Sequence, residues 1–167
     1  VDKFVIGESK FSHSGKPKTL NFDINNFKKF KDKIEYIVVD TQPQNILKLD
    51  EGESKDKRGE KLILNGMARD YFQRENLAKG LREAANEDLI LISDLDEIPN
   101  LDNLNFADVK NNIVIFEQKM FYYKLNLLHK NFKWYGSKIA KKKHLLSPQW
   151  LRNIKSRKYP LWRFDIL

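Results

Sequence analysis

The sequence has no cysteine among its 167 residues, so it can form neither a disulfide framework nor a thiolate metal site. It also has no run of about 18 apolar residues, the length that a helix needs to cross a bilayer. The histidines His13, His129 and His144 are scattered without metal-site spacing, which predicts structural or surface roles. These absences argue against a disulfide-rich secreted domain, a zinc-stabilised domain and a helical membrane protein.

The start of the chain lacks the usual marks of a complete or exported protein. It begins at Val1 and shows no charged segment followed by an apolar one, the pattern of a signal peptide. We therefore expect a fragment or a trimmed product. The absence of a signal, an anchor and cysteine predicts a cytoplasmic protein.

The residues that are present predict a folded, basic chain. Hydrophobic residues make up 41% and aromatic residues 12%, enough for a core. The net charge is +8, from 31 Lys and Arg against 23 Asp and Glu, and many of the cations fall within residues 138–163. A basic segment favours an anionic partner, such as nucleic acid, a phosphorylated molecule or a membrane surface. Ordinary solvated lysines are the alternative.

The hydrophobic pattern predicts strands that alternate with helical connections. Strands are expected at Phe4–Ile6, at Ile34–Val39 and from Asp88 to Asp94. We expect a helix over residues 66–86, a long loop over residues 41–64, and one or two strands in residues 111–128. This order predicts an α/β fold whose mixed sheet has parallel central strands flanked by helices. Ligands then bind beyond the carboxyl ends of the strands, where Glu8 and Asp94 would meet.

Three carboxylates follow a buried apolar run in the stretch LILISDLDEIPN, and like charges this close need a positive partner. In the first interpretation, Asp94 and Asp96 point to the same side of an extended segment and hold Mn²⁺ or Mg²⁺. In a second, Asp94 is the nucleophile and Asp96 the acid–base group of a haloacid-dehalogenase-like phosphatase. In a third, the carboxylates only cap the following helix.

The wider pattern distinguishes between these interpretations. The Asp-x-Asp-Glu-Ile-Pro stretch after a buried run resembles glycosyltransferase family 17, the β-1,4-mannosyl-glycoprotein N-acetylglucosaminyltransferase-like family. Five other stretches resemble the same family in the same order. These are VDKFVIGES, SHSGKPKTLNF, RDYFQRENLAKGL, MFYYKLNLL and KWYGSKIA. The resemblance covers nearly the whole chain, although the family's earlier strand and helix and its later Gly-Trp-His-Phe segment have no counterpart here.

The resemblance implies a single GT-A-like domain over residues 1–167 that transfers a sugar from a UDP-sugar to a glycan acceptor, as in N-glycan processing. N-acetylglucosamine is the implied sugar. Asp94 and Asp96 would be the metal ligands for Mn²⁺ or Mg²⁺, with Asp96 the more direct one. The metal would bridge the donor's phosphates and neutralise the leaving diphosphate. Glu97 would support this site or act in acid–base chemistry.

The resemblance also suggests residues that contact the nucleotide sugar. Glu8 and Ser9 occupy the strand end where GT-A enzymes commonly place a carboxylate or hydroxyl that reads the base of the donor. Asp94 would contact the donor through the metal, and Arg74 could reach a phosphate or a carboxylate of the site. For Glu8 an ordinary strand-end carboxylate is the alternative, and for Arg74 a surface salt bridge. The lysines Lys16 and Lys18 could meet a phosphate or the acceptor, although loop lysines are usually only solvated. Arg69 is a weaker candidate.

The acceptor side of the site is less determined by the sequence. The aromatic residues Trp134, Tyr135, Trp150 and Trp162 could line an acceptor groove or pack in the core. The catalytic base stays unassigned, because nothing in their spacing distinguishes Glu117 from Asp165. We expect no nucleic-acid partner, although a basic module that binds nucleic acid or another anionic surface is the non-enzymatic alternative. The basic aromatic C-terminal third could also contact a membrane, and a eukaryotic member would lie in the Golgi lumen.

Overall fold

The computed structural model describes residues 1–102, 105, 109, 111–155 and 164–166. The chain divides into two compact units, Val1–Glu83 and Ala84–Leu167, and each is described by itself. The single domain expected from the sequence therefore stays a prediction. Outside the described residues lie Trp162, the basic residues Arg157, Lys158 and Arg163, and residues 103, 104, 106–108 and 110, which belong to the segment expected to form the helix after the acidic cluster.

The first unit contains a parallel pair of strands, β1 (Phe4–Ser9) and β2 (Ile34–Val39). Phe4 lies opposite Ile34 and Ser9 opposite Val39. A 3₁₀ helix, Ile24–Lys33, precedes β2 and is capped by the Asp23 side chain. The predicted bounds of β2 are confirmed, and β1 is longer than predicted because Gly7, Glu8 and Ser9 continue the ladder.

Helix α1 (Lys55–Asn76) follows, and a 3₁₀ helix (Leu77–Leu81) extends it. The predicted loop over residues 41–64 is therefore wrong from Lys55 onward, and the predicted helix over residues 66–86 started too late and ended too late. The Ser54 hydroxyl accepts a hydrogen bond from the Lys57 backbone N–H and caps the helix. The negative charge of Asp56 in the first turn interacts favourably with the positive end of the helix dipole. The first half of this helix is charged and mostly exposed, so its sequence lacks the apolar periodicity that would have predicted a helix.

Two glycines of the first unit allow close packing against the parallel strands. A Cβ at Gly7 would lie less than 3.0 Å from Leu77, and one at Gly80 less than 3.0 Å from Val5. Gly80 is buried. Its conformational cost within a helical segment is therefore offset by the close approach of the 3₁₀ helix to β1.

The second unit is built on a four-stranded mixed sheet. Its strands are β3 (Leu89–Ile92), β4 (Ile113–Ile115), β7 (Lys138–Lys141) and β8 (Asp165–Ile166), in the order β3-β7-β4-β8. Strand β7 is antiparallel to both β3 and β4, whereas β8 is parallel to β4. The prediction of parallel central strands is wrong for this sheet, because the unpredicted buried strand β7 lies between β3 and β4. It holds for β1 and β2.

Strands β5 (Gln118–Phe121) and β6 (Leu128–Trp134) form a separate antiparallel hairpin. Helix α2 (Pro148–Asn153) is capped by the Ser147 hydroxyl, which accepts from the Trp150 backbone N–H. Its Leu151 is fully buried, and α2 contacts β7 and β3. The packing of α2 places Arg152 beside the end of β3. Within the described residues, every helix is too short or too polar to cross a membrane.

Candidate functional site

The predicted acidic cluster forms a tight turn rather than an extended segment. The Glu97 backbone N–H donates to the Asp94 carbonyl at 3.0 Å, and Leu95 and Asp96 are the two central residues. The Ser93 hydroxyl donates to the Glu97 carbonyl at 2.6 Å, which links the residue before the turn to the last residue of the turn. Aspartate is favoured at the first position of such turns. The alternation that was to bring Asp94 and Asp96 together is therefore absent.

Among the described residues, the positive partner of the cluster is Arg152 on α2. Its guanidinium donates to Asp94 Oδ2 from Nε at 3.2 Å and from Nη2 at 2.8 Å. The same Nη2 donates to Glu97 Oε1 at 2.7 Å. One arginine thus neutralises two of the three carboxylates, which a planar guanidinium with several donors can do.

Glu97 is the most buried member of the cluster, with 5% of its side chain exposed. Its carboxylate accepts from three donors: Arg152 Nη2, Trp134 Nε1 at 2.7 Å and the Asp94 backbone N–H at 3.0 Å. The Trp134 ring also lies 5.7 Å from the Arg152 guanidinium carbon, in cation–π range. Such a satisfied, buried carboxylate positions its neighbours and holds the turn.

Buried polar residues support the cluster from β7. Lys138 is 1% exposed, and its ammonium donates to the carbonyls of Tyr135, Gly136 and Arg152, each at 3.0 Å. This contact ties the start of β7 to the end of α2. The Ser137 and Ser93 hydroxyls share a hydrogen bond of 2.7 Å. Together they fix Arg152 and the turn relative to each other.

Asp96 differs from its neighbours. Its side chain is exposed at the tip of the turn, and within the described part of the chain no side chain forms a hydrogen bond or ion pair with it. Residues 1–102, 105, 109, 111–155 and 164–166 contain no cluster of three or more His, Asp or Glu able to hold a metal by themselves. Among the three carboxylates of the turn, Asp96 is therefore the exposed one.

The carboxylate of Glu8, in the first unit, accepts hydrogen bonds from the segment that follows β1 and from β2. Oε1 accepts from Lys18 Nζ at 2.7 Å and the Asn21 backbone at 2.8 Å, and Oε2 accepts from the Phe22 backbone at 3.0 Å and the Tyr36 hydroxyl at 2.8 Å. Burial alone would raise the pKa of Glu8, but these four donors favour the charged form and lower the pKa from 4.5 to about 2. Burial and the bond to Glu8 raise the pKa of Tyr36 to about 12.

This low pKa predicts a specific acid sensitivity. Because the folded-state pKa is depressed, the stabilisation from Glu8 is complete above about pH 4.5 and is lost as the pH falls toward about 2. Replacing Glu8 with glutamine should lower the free energy of unfolding on the order of 2 to 3 kcal/mol at pH 7, with the difference vanishing near pH 2. Urea unfolding from pH 2 to pH 7 measures this. Glu60→Gln on α1, where Glu60 is exposed, is the control, and an equal effect in both variants would contradict the assignment.

The other nucleotide candidates of the first unit also have local partners. The Ser9 hydroxyl accepts from the Phe11 backbone N–H at 3.0 Å, and Arg74 pairs with Asp70 one turn earlier at 3.2 Å. Arg69 donates to the His13 carbonyl at 2.9 Å and to Gln42. These contacts agree with the alternatives of an ordinary strand-end carboxylate for Glu8 and a salt bridge for Arg74. Nucleotide contact by Glu8, Ser9 and Arg74 stays a prediction.

The two carboxylates considered as a catalytic base are held by neighbours in the second unit. Glu117 accepts from Lys133 Nζ and the Tyr135 hydroxyl, both at 3.0 Å, and its hydrogen bond to Lys133 lowers its pKa. Asp165 accepts from the Asn111 backbone N–H at 2.7 Å. These contacts do not identify either carboxylate as the catalytic base.

Sequence reasoning missed Arg152 and Gly136 as parts of the site. Arg152 was one cation in a basic segment, and Trp134 was considered only for an acceptor groove or for core packing. A Cβ at Gly136 would lie less than 3.0 Å from Glu97 and from the Trp134 indole nitrogen, so only glycine fits there. The only available signal was the need of three carboxylates for a cation.

Comparison with known proteins identifies the family. The model of glycosyltransferase family 17 matches residues 1–147, which include the Asp94–Glu97 turn and Trp134 but not Arg152. No curated protein and no solved structure matches the chain. The match favours sugar transfer over the phosphatase and the nucleic-acid-binding alternatives. Because it spans most of the sequence, the chain belongs to glycosyltransferase family 17.

Proposed function

We propose that this chain transfers N-acetylglucosamine from its UDP-linked donor to a glycan acceptor, with Mn²⁺ or Mg²⁺ held at Asp94 and Asp96. A member of a glycosyltransferase family uses a sugar donor and an acceptor. The sugar, the nucleotide, the metal and a GT-A-like arrangement are the parts that we add. The parallel pair β1–β2 and the strand-end carboxylates favour such an arrangement.

The observation that carries the proposal is the contrast between Asp96 and its neighbours. Asp94 and Glu97 share Arg152, whereas Asp96 is exposed and free of ion pairs within the described part of the chain. A solvated carboxylate at the tip of a rigid turn suits a hard cation that keeps most of its other ligands from water and substrate phosphates. The donor set therefore fits an ion shared with a diphosphate.

In this proposal Asp96 would be the main protein ligand of the ion, and Asp94 would be the second. The bound metal would supply positive charge where the diphosphate leaves. Arg152 orients Asp94 and Glu97 through its hydrogen bonds to both carboxylates. Glu97 acts as a positioning residue, because its oxygens are already occupied by donors.

Calorimetry with UDP-N-acetylglucosamine, with and without Mn²⁺, tests the proposal. Mn²⁺ should strengthen donor binding, and Asp96→Ala should weaken the metal-dependent binding about tenfold or more, because one ligand of the ion is lost. Asp102→Ala, at another exposed aspartate of the second unit, is the matched control and should behave as the unchanged chain. Full metal-dependent binding by Asp96→Ala would overturn the assignment. A series of other UDP-sugars tests the sugar.

A further inference from the structure

The β5–β6 hairpin, residues 118–134, exposes an unusual amount of apolar surface at its tip. Tyr123 is 100% exposed and Leu125 is 86% exposed, and between them they dominate the end of the hairpin. Tyr122, Leu127 and Leu128 are also exposed. Single exposed apolar residues are common, but contiguous ones mark a surface that contacts something.

The backbone holds the tip in place. Tyr123 has a φ of 55°, a left-handed conformation that a bulky residue rarely adopts, and the Tyr122 N–H donates to the Leu127 carbonyl at 3.0 Å across the loop. The backbone of Tyr123 is strained, and its fully exposed side chain makes no packing contact with the described core that would offset this strain. The side chain is therefore presented outward by the turn.

A ladder of aromatic ring contacts, running from Tyr122 near the tip to Trp134 at the base, stabilises the hairpin. Tyr122 and His129 have ring centroids 5.3 Å apart, His129 and Phe132 are 5.6 Å apart, and Phe132 and Trp134 are 6.3 Å apart. Trp134 is anchored by its hydrogen bond to Glu97. An isolated two-stranded ribbon is marginally stable, so this ladder and its anchor give the exposed tip a defined position.

The charges on the hairpin are of one sign. Residues 118–133 contain four lysines, Lys119, Lys124, Lys130 and Lys133, and no aspartate or glutamate. The adjacent carboxylate, Glu117, lies at the base, where it pairs with Lys133 at 2.9 Å. Lysine is depleted at protein–protein interfaces, whereas tyrosine, leucine and lysine together suit the boundary of an anionic bilayer.

We propose that the hairpin tip docks on an anionic lipid membrane, with Tyr123 and Leu125 entering the headgroup–acyl boundary. Lys124 and Lys130 would contact lipid phosphates or carboxylates, their stems lying along the apolar surface. Because the same hairpin ends at Trp134, docking would hold the Asp94–Glu97 turn near the membrane surface.

Vesicle co-sedimentation tests the proposal. The chain should bind vesicles of phosphatidylcholine mixed with phosphatidylserine at low salt, bind phosphatidylcholine alone much less, and lose binding at high salt. Tyr123→Ser combined with Leu125→Ser should weaken binding about tenfold or more, because two apolar side chains no longer leave water. Lys124→Gln combined with Lys130→Gln should weaken binding to the anionic vesicles roughly tenfold.

The matched control is Ile63→Ser combined with Leu146→Ser, which removes two exposed apolar residues outside the hairpin and should bind as the unchanged chain. Circular dichroism during heating checks that all variants are folded. Failure to bind anionic vesicles at low salt would overturn the proposal, and so would undiminished binding by the tip variant. Dimerisation or oligosaccharide binding that depends on the tip, without vesicle binding, would assign the hairpin to another partner and would also overturn it.

Discussion

Replacement of Arg152 with methionine is expected to lower the free energy of unfolding by about 3 to 5 kcal/mol. The guanidinium is the cation shared by Asp94 and Glu97, at 2.8 Å and 2.7 Å. Glu97 has only 5% of its side chain exposed, so its charge would be left in a poorly solvated place with no compensating cation among the described residues. Methionine keeps most of the apolar stem, so the loss reports mainly on charge. Chemical denaturation at neutral pH measures it.

Two further variants separate this explanation from simple loss of packing. Lys143→Met removes a lysine that pairs with the exposed Glu87, and we expect it to cost less than about 1 kcal/mol. Arg152→Met combined with Glu97→Gln should cost less than the sum of the two single variants, because no buried carboxylate is left unpaired. A loss below about 1 kcal/mol for Arg152→Met alone would show that the arginine does not hold the cluster.

Gly136→Ala is expected to destabilise the second unit by about 2 to 4 kcal/mol. The new Cβ would lie less than 3.0 Å from Glu97 and from the Trp134 indole nitrogen. Neither can move aside without breaking the hydrogen bond of 2.7 Å that joins them. We therefore expect the turn to lose its support and metal-dependent donor binding to weaken in the same variant.

Gly59→Ala is the matched control for this substitution. Gly59 lies within α1, and nothing lies within 4 Å of a Cβ added there. Alanine in an open helical position should raise the free energy of unfolding by roughly 0.5 to 1 kcal/mol. The two variants thus make the same chemical change with opposite expected signs. Equal stability of Gly136→Ala and the unchanged chain would contradict the close packing of Glu97 at this glycine.

Local pattern was enough for several elements of the fold. The run from Ile34 to Val39 forms β2 with the predicted bounds, because a β-branched apolar run between polar segments has few other stable conformations. The strand before the acidic cluster was also predicted, although it ends at Ile92 rather than Asp94. The last two residues leave the sheet because Ser93 and Asp94 bond within the turn.

Elements without a clear period could not be predicted in the same way. The first half of α1 is rich in charged residues, and its start depends on the cap at Ser54. Strand β7 is only four residues long and was hidden in a mixed basic and aromatic region. It becomes a strand because β3 and β4 both pair with it, a long-range effect that no local window contains.

The sequence by itself determined the family and the position of the acidic cluster, because a buried apolar run ending in Asp-x-Asp-Glu-Ile-Pro is a local and specific pattern. Only the tertiary structure decided which carboxylate is open and which are neutralised. Arg152 lies 58 residues from Asp94 along the chain, and the packing of α2 against β7 and β3 brings them together. A charge pair over that separation has no sequence signature, because it depends on how buried side chains fill the space between elements.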